Sequence, residues 1–174
     1  MKKIIYPAII ATIISLFAFT EIMSNWKVKG SEAVIEFSGG NIHGKIEGLK
    51  AEIVFDKDHP DQAKMSASVD VTSIATGFFI KTSHAKDALG ADTYPTIKFV
   101  STSVTKNGSG FSANGNLTMK GKTKPSVIHF TFEDKGSQGV FKGTMKVIPK
   151  EYGIDRNGTP PSVEITLTVP VAKT

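Results

Sequence analysis

Four histidines, sixteen carboxylates and a scatter of hydroxyls could carry bond chemistry in this chain, and none is spaced for it. His43, His59, His84 and His129 contain no pair at i, i+4 or at alternate positions of one strand, the spacings that bring two imidazoles to one metal. His43 and His129 alternate with apolar neighbours and so face solvent. Asp56, Asp58 and Asp61 share one polar turn, with a spacing unlike that of a calcium-binding loop. Ser73, Ser101 and Ser103 lack any motif that would activate a hydroxyl. Cysteine is absent, which removes disulfides, thiolate catalysis and Cys-bound zinc. These residues call for no cofactor and no metal, and no enzyme is expected. His84 stands apart, in a stretch that does not alternate, where it could donate a hydrogen bond to a polar ligand end or to a strand carbonyl. The remaining chemistry is that of apolar surface, so the elements that arrange it come next.

From Trp26 onward apolar side chains recur with period two, the signature of strands with one buried face. Ala33, Ile35 and Phe37 alternate with charged or polar neighbours, and Ile42, Gly44, Ile46 and Gly48 follow after Gly39-Gly40-Asn41. Ala51, Ile53 and Phe55 form another such row, then Met65, Ala67, Val69 and Val71. Later rows are Ile97 and Phe99; Phe111, Ala113, Gly115, Leu117 and Met119; Phe141, Gly143, Met145 and Val147; and Val163, Ile165, Leu167 and Val169. Eight or nine strands joined by short Gly, Asn, Asp and Pro turns imply antiparallel pairing. Residues 79–89 break the alternation and end at Gly90, which predicts one short helix across an end of the sheet.

The fold class is therefore all-β, closing as a single antiparallel barrel rather than stacking as a sandwich. Gly44, Gly48, Gly115 and Gly143 fall on the apolar faces, where glycine relieves crowding at bends. An eight-stranded barrel is filled by side chains or holds one small ligand. Inward glycine and alanine leave room for a ligand, or only fit the taper of the barrel. If there is a tunnel, its lining is Ile35, Phe37, Ile46, Ile53, Phe55, Val69, Val71, Ile97, Phe99, Phe111, Leu117, Phe141, Met145, Ile165 and Leu167, with Phe78, Phe79 and Ile80 closing one end and His84 over the mouth.

Residues 1–24 have a basic start at Lys2 and Lys3 and an apolar run from Ile4 to Phe19, the pattern of a secretory signal peptide. This places the protein in the periplasm or outside the cell, with residues 25–174 as its one domain; the cleavage site is poorly marked. The net charge of +5 comes from twenty lysines and one arginine, Arg156. Such a surface reads first as a solvated face, then as one making weak, transient contact with an anionic membrane. Nucleic acid is not expected, because Arg is the usual bidentate grip on phosphate. A homodimer is left open.

Three stretches, in order, carry a resemblance: Ser73-Ile74-Ala75-Thr76-Gly77; Tyr94-Pro95-Thr96-Ile97-Lys98-Phe99-Val100-Ser101-Thr102; and Gly115-Asn116-Leu117-Thr118-Met119-Lys120-Gly121-Lys122-Thr123-Lys124-Pro125. Over residues 26–174 the chain resembles the YceI-like family of lipid- and polyisoprenoid-binding proteins. The resemblance implies an extended, lipocalin-like barrel of periplasmic type, with an isoprenoid or other long-chain lipid along an apolar tunnel and no catalytic residues. Lys81 stands where the family usually has Arg, three residues before the helix histidine. Pro149-Lys150-Glu151-Tyr152-Gly153-Ile154 replaces a common Asn-Arg-x-x-Phe-Gly pattern. The function to expect is a periplasmic carrier for a quinone- or polyprenol-type lipid; the alternative is an extracytoplasmic structural or interaction barrel with a filled core.

Overall fold

The period-two rows become ten antiparallel strands in the computed structural model, which describes residues 23–174. The segment read as an export signal, 1–24, lies outside the described residues except for Met23 and Ser24. The strands are β1 (Asn25–Val28), β2 (Val34–Gly39), β3 (Ile42–Ile46), β4 (Lys50–Val54), β5 (Lys64–Asp70), β6 (Thr96–Asn107), β7 (Gly110–Met119), β8 (Lys122–Asp134), β9 (Gln138–Val147) and β10 (Val163–Lys173). The helix, α1, spans Phe79–Leu89 and stops where the sequence signals it: Gly90 is left-handed at φ 67°, with its N–H on the Asp87 carbonyl.

Eight strands close the barrel, in the order β1-β4-β5-β6-β7-β8-β9-β10 and back to β1. β10 keeps β9 along its whole length on one edge, whereas the other edge serves two partners in turn. Near its end it pairs with β1, through Val28↔Val171 and Trp26↔Lys173. Earlier it pairs with β2, through Ile165↔Phe37 and Leu167↔Ile35, and β2 carries β3 outside it. At the α1 end the ring therefore consists of β4 to β10 plus β2 and β3, while β1 alone completes the opposite end. Diameter grows with strand number, so the barrel tapers away from α1. The seam between β3 and β4 at the wide end is laced by the segment after β5: Ala75 bridges to Lys45, and the Ser73 hydroxyl donates to the Glu47 carbonyl and accepts from its N–H at 3.0 Å each.

The narrow end is packed with rings. Phe55, 1% exposed, meets Phe111, Phe130, Phe132 and Phe141 edge-on at centroid separations of 5.0 to 5.5 Å. Phe111 stacks on Phe130 at 5.3 Å, and Trp26 approaches Phe132 at 4.9 Å while its Nε1 donates to the Phe55 carbonyl at 2.9 Å. Each such pair adds about 0.5–1.5 kcal/mol beyond the area it buries. A smaller cluster of Phe37, Ile46, Val71, Ile74 and Ala91 packs near the wide end.

Glycines on the inner face make room for rings. A Cβ on Gly115 would collide with the Val100 carbonyl oxygen and lie 2.6 Å from Phe99, and one on Gly44 would meet Phe37 at 2.6 Å. Gly143 is roomier, its nearest neighbour being Ile128 at 3.2 Å. Gly48 is not a strand residue: it lies beyond β3 with φ 73°, so its place on the apolar face is corrected to a turn position. Behind the rim, the 3-10 turn Pro149–Tyr152 buries Tyr152 to 2% exposure.

Gly115→Ala should cost about 1–3 kcal/mol, because backbone and not a flexible tip obstructs the methyl. For a domain of this size that lowers the melting temperature by roughly 2–4 °C per kcal/mol. Gly143→Ala should cost distinctly less in the same thermal scans. Burial raises the Tyr152 phenol above its ordinary pKa of 10.0, outweighing the hydroxyl of Ser126. The folded state thus favours the neutral phenol, and the stability this gives is complete below the unfolded pKa and is lost as pH climbs through the higher folded one. In urea titrations at pH 8 and pH 11, wild type should lose more stability than Tyr152→Phe; lysine deprotonation is common to both and cancels.

Candidate ligand-binding cavity

Between α1 and the ring-packed end lies a cavity of about 600 Å³. That is within the range of about 300–1,000 Å³ usual for ligand pockets. Its walls are inner faces of the strands: Ile35 on β2, Ile53 on β4, Met65 and Val69 on β5, Ile97 and Phe99 on β6, Leu117 on β7, Met145 on β9, and Ile165 and Leu167 on β10. Small residues open the space. Ala51 faces Ala67 across β4 and β5, and Ala113 and Gly143 replace bulk on β7 and β9. Phe130 and Phe141 belong both to the lining and to the packed rings, so they form the floor.

Both charged lining residues sit at the rim, Lys81 on α1 and Arg156 on the loop before β10, and His84 of α1 lies beside them. Asn41, Asn157 and Thr159 complete the rim. No buried side-chain polar atom among the described residues lacks a hydrogen-bond partner, so the apolar interior conceals no unsatisfied polar group. Nor do the described residues bring three His, Asp or Glu together in a way that would hold a metal. Such a site can enclose a chain without heteroatoms and leave its polar end at the rim.

α1 lies across this mouth as a strap. It contributes only Ala85, Ala88 and Leu89 to the apolar clusters, so polar contacts tie it down. Lys81 Nζ donates to the Asn41 carbonyl at 3.2 Å, Arg156 Nη1 to the His84 carbonyl at 3.5 Å, and Lys120 Nζ to the Ala88 carbonyl at 2.8 Å. Lys120 also reaches Gly153 O at 3.1 Å, from the two-residue turn Lys120-Gly121, where it has φ 51°. A two-residue hairpin with both residues at positive φ matches the twist of β7 and β8, and the second residue is glycine as that turn favours. Its lysine meets the C-terminal carbonyls of α1, where a cation is favoured.

The inner-face residues expected to line a tunnel divide by position. Ile35, Phe37, Ile46, Ile53, Val69, Ile97, Phe99, Leu117, Phe141, Met145, Ile165 and Leu167 border the cavity, with His84 at its rim. Phe55 and Phe111 do not: the alternation is right for them, but they lie at the narrow end, where rings fill the barrel. Val71 leaves the wall because β5 ends at Asp70; it sits in a 3-10 turn, 1% exposed, packed with Ile74 and Phe37. Phe78, Phe79 and Ile80 do not close an end. They are 61%, 89% and 66% exposed, because they precede or begin α1 on its outward side.

Lining residues beyond that set fall into two kinds. Met65, Ala67 and Ala113 alternate in step with named neighbours, so the pattern contained them. The Arg156–Pro160 loop and Leu49 carry no periodicity, and only the closure of the barrel brings them to the cavity.

The family model of the YceI-like domain matches residues 26–172. A UPF0312 protein of Serratia proteamaculans is 26% identical over 171 residues, covering 90% of this chain and 89% of its own. Among solved structures, Burkholderia cenocepacia BcnA superposes with a TM-score of 0.76 at 21% identity, covering 83% of this chain and 99% of that one. A polyisoprenoid binding domain from Saccharophagus degradans gives 0.64 at 10% identity, covering 88% and 100%. At those identities the two structural likenesses speak for the fold alone.

A ring placed at the Ala51–Ala67 pair should occupy the void instead of displacing neighbours. Ala67→Phe is expected to weaken uptake of an apolar fluorescent dye by roughly tenfold, equivalent to about 1.4 kcal/mol. Its melting temperature should stay close to that of wild type. Unchanged dye affinity would mean that the dye sits elsewhere.

Proposed function

The chain belongs to the YceI-like domain family, and on that premise we propose that it binds a long-chain lipid of isoprenoid type, a quinone or polyprenol, with the tail in the barrel and the polar end at the rim. The observation that carries this reading is the cavity of about 600 Å³, with its apolar walls and its charges confined to the mouth. A barrel whose interior is wholly filled by side chains does not fit it. The description of the Saccharophagus domain as polyisoprenoid binding supports the same ligand class.

The size of the cavity bounds the cargo. At about 600 Å³ it falls in the range of ordinary ligand pockets, a size for a tail of a few isoprene units. A tail of that length hides several hundred Å² from water, and at roughly 25 cal/mol per Å² this offers about 5–10 kcal/mol before ordering costs. The ring-packed floor leaves the excess of a longer tail at the mouth. We place the protein outside the cytoplasm, in the periplasm or secreted, on the signal-like pattern of residues 1–24.

The test is recovery of the cargo. Protein made in its native host should release an isoprenoid lipid on organic extraction, near one molecule per chain by mass spectrometry. Extracts holding no lipid above the level of a Leu117→Arg control, in which a cation blocks the cavity, would overturn the proposal.

A further inference from the structure

Phe78, Phe79 and Ile80 are three consecutive large apolar side chains at 61%, 89% and 66% exposure. Single exposed apolar residues are ordinary on a soluble surface, whereas a contiguous projecting group marks a contact. Nothing in the fold explains them. They do not border the cavity or join either apolar cluster, and Phe78 occupies the cap position of α1 without giving it a side-chain hydrogen bond. Serine, threonine, aspartate or asparagine would cap the helix better at no cost to the barrel.

Their place is informative. The next residues of the same helix, Lys81, His84 and Ala85, line the mouth, so the apolar tip stands beside the opening. The charged lining residues there are Lys81 and Arg156, with no carboxylate beside them; Asp87 on α1 and Asp155 in the loop are the nearest acids in sequence. Lys81 Nζ lies 5.4 Å from the centroid of the Phe78 ring, so cation and apolar surface form one patch. Aromatic and aliphatic side chains interleaved with Lys and Arg suit the headgroup layer of a bilayer, which presents acyl chains and anionic phosphates at adjacent depths.

We infer that Phe78-Phe79-Ile80, with Lys81 and Arg156, forms a membrane-docking tip that seats the barrel mouth on an anionic lipid surface. The contact is peripheral: among the described residues no helix is long and apolar enough to cross a membrane. With the tip inserted the opening faces the bilayer, so a lipid tail passes between membrane and barrel with little exposure to water. The purpose of the tip rests on the carrier reading, but docking itself is measured without any cargo.

The experiment uses the protein as recovered from its native host and vesicles of phosphatidylglycerol with phosphatidylethanolamine, against vesicles of phosphatidylcholine. Phe79→Trp puts a reporter on the tip, and its emission should shift to the blue with anionic vesicles, less so with phosphatidylcholine or at raised salt. Phe79→Ser/Ile80→Ser should weaken anionic vesicle binding at least tenfold in flotation, yet keep the melting temperature and the dye uptake of the parent. An emission maximum that ignores vesicles, or a double variant that binds as tightly as the parent, overturns the inference. So does a tip that holds only a protein or a second copy of this chain. A blue shift from protein whose extracts contain no lipid supports docking and removes the carrier reading alone.

Discussion

One edge of β10 has to satisfy two partners, and the shape of the interior follows from that. Backbone N–H and C=O groups in a barrel must be paired along each strand, so an eleven-residue strand beside the four-residue β1 would leave most of one edge bare. β2 takes the remaining length and brings β3 with it. The extra pair widens the ring at one end only. Six aromatic rings fill the narrow end, while nearer the wide end Ala51, Ala67, Ala113 and Gly143 leave the interior open.

The wide end is also where the ladder is incomplete, and the segment between β5 and β6 compensates. Its first part laces β3 through Ala75 and Ser73, and its second part becomes α1, laid across the opening. α1 buries little and is secured by lysine and arginine on backbone carbonyls, contacts that water could replace at modest cost. A covering held in this way opens more readily than the hydrogen-bonded strands beneath it. That suits an opening through which a ligand would pass.

Much of this was legible beforehand, and the reason is periodicity. Alternation at Ile35–Phe37, Met65–Val69, Phe111–Met119 and Val163–Val169 names inward faces correctly because a strand offers each side chain only two directions. Gly90 marked the end of the helix because few other residues enter the left-handed conformation freely. The alternation did not say how far along the barrel each residue stands. Phe55 and Phe99 have equivalent patterns, yet one lies in a ring cluster and the other beside a void.

The sequence by itself thus determined the all-β class, the inner and outer faces, the helix at 79–89 and the family, since these depend on local backbone preference and on motifs in order along the chain. Tertiary structure alone decided that the ring is wider at one end and that Arg156 joins Lys81 and His84 at the mouth. It also decided that Phe78, Phe79 and Ile80 face water. These depend on which strand edges meet after dozens of intervening residues, and a period of two carries no information about that distance.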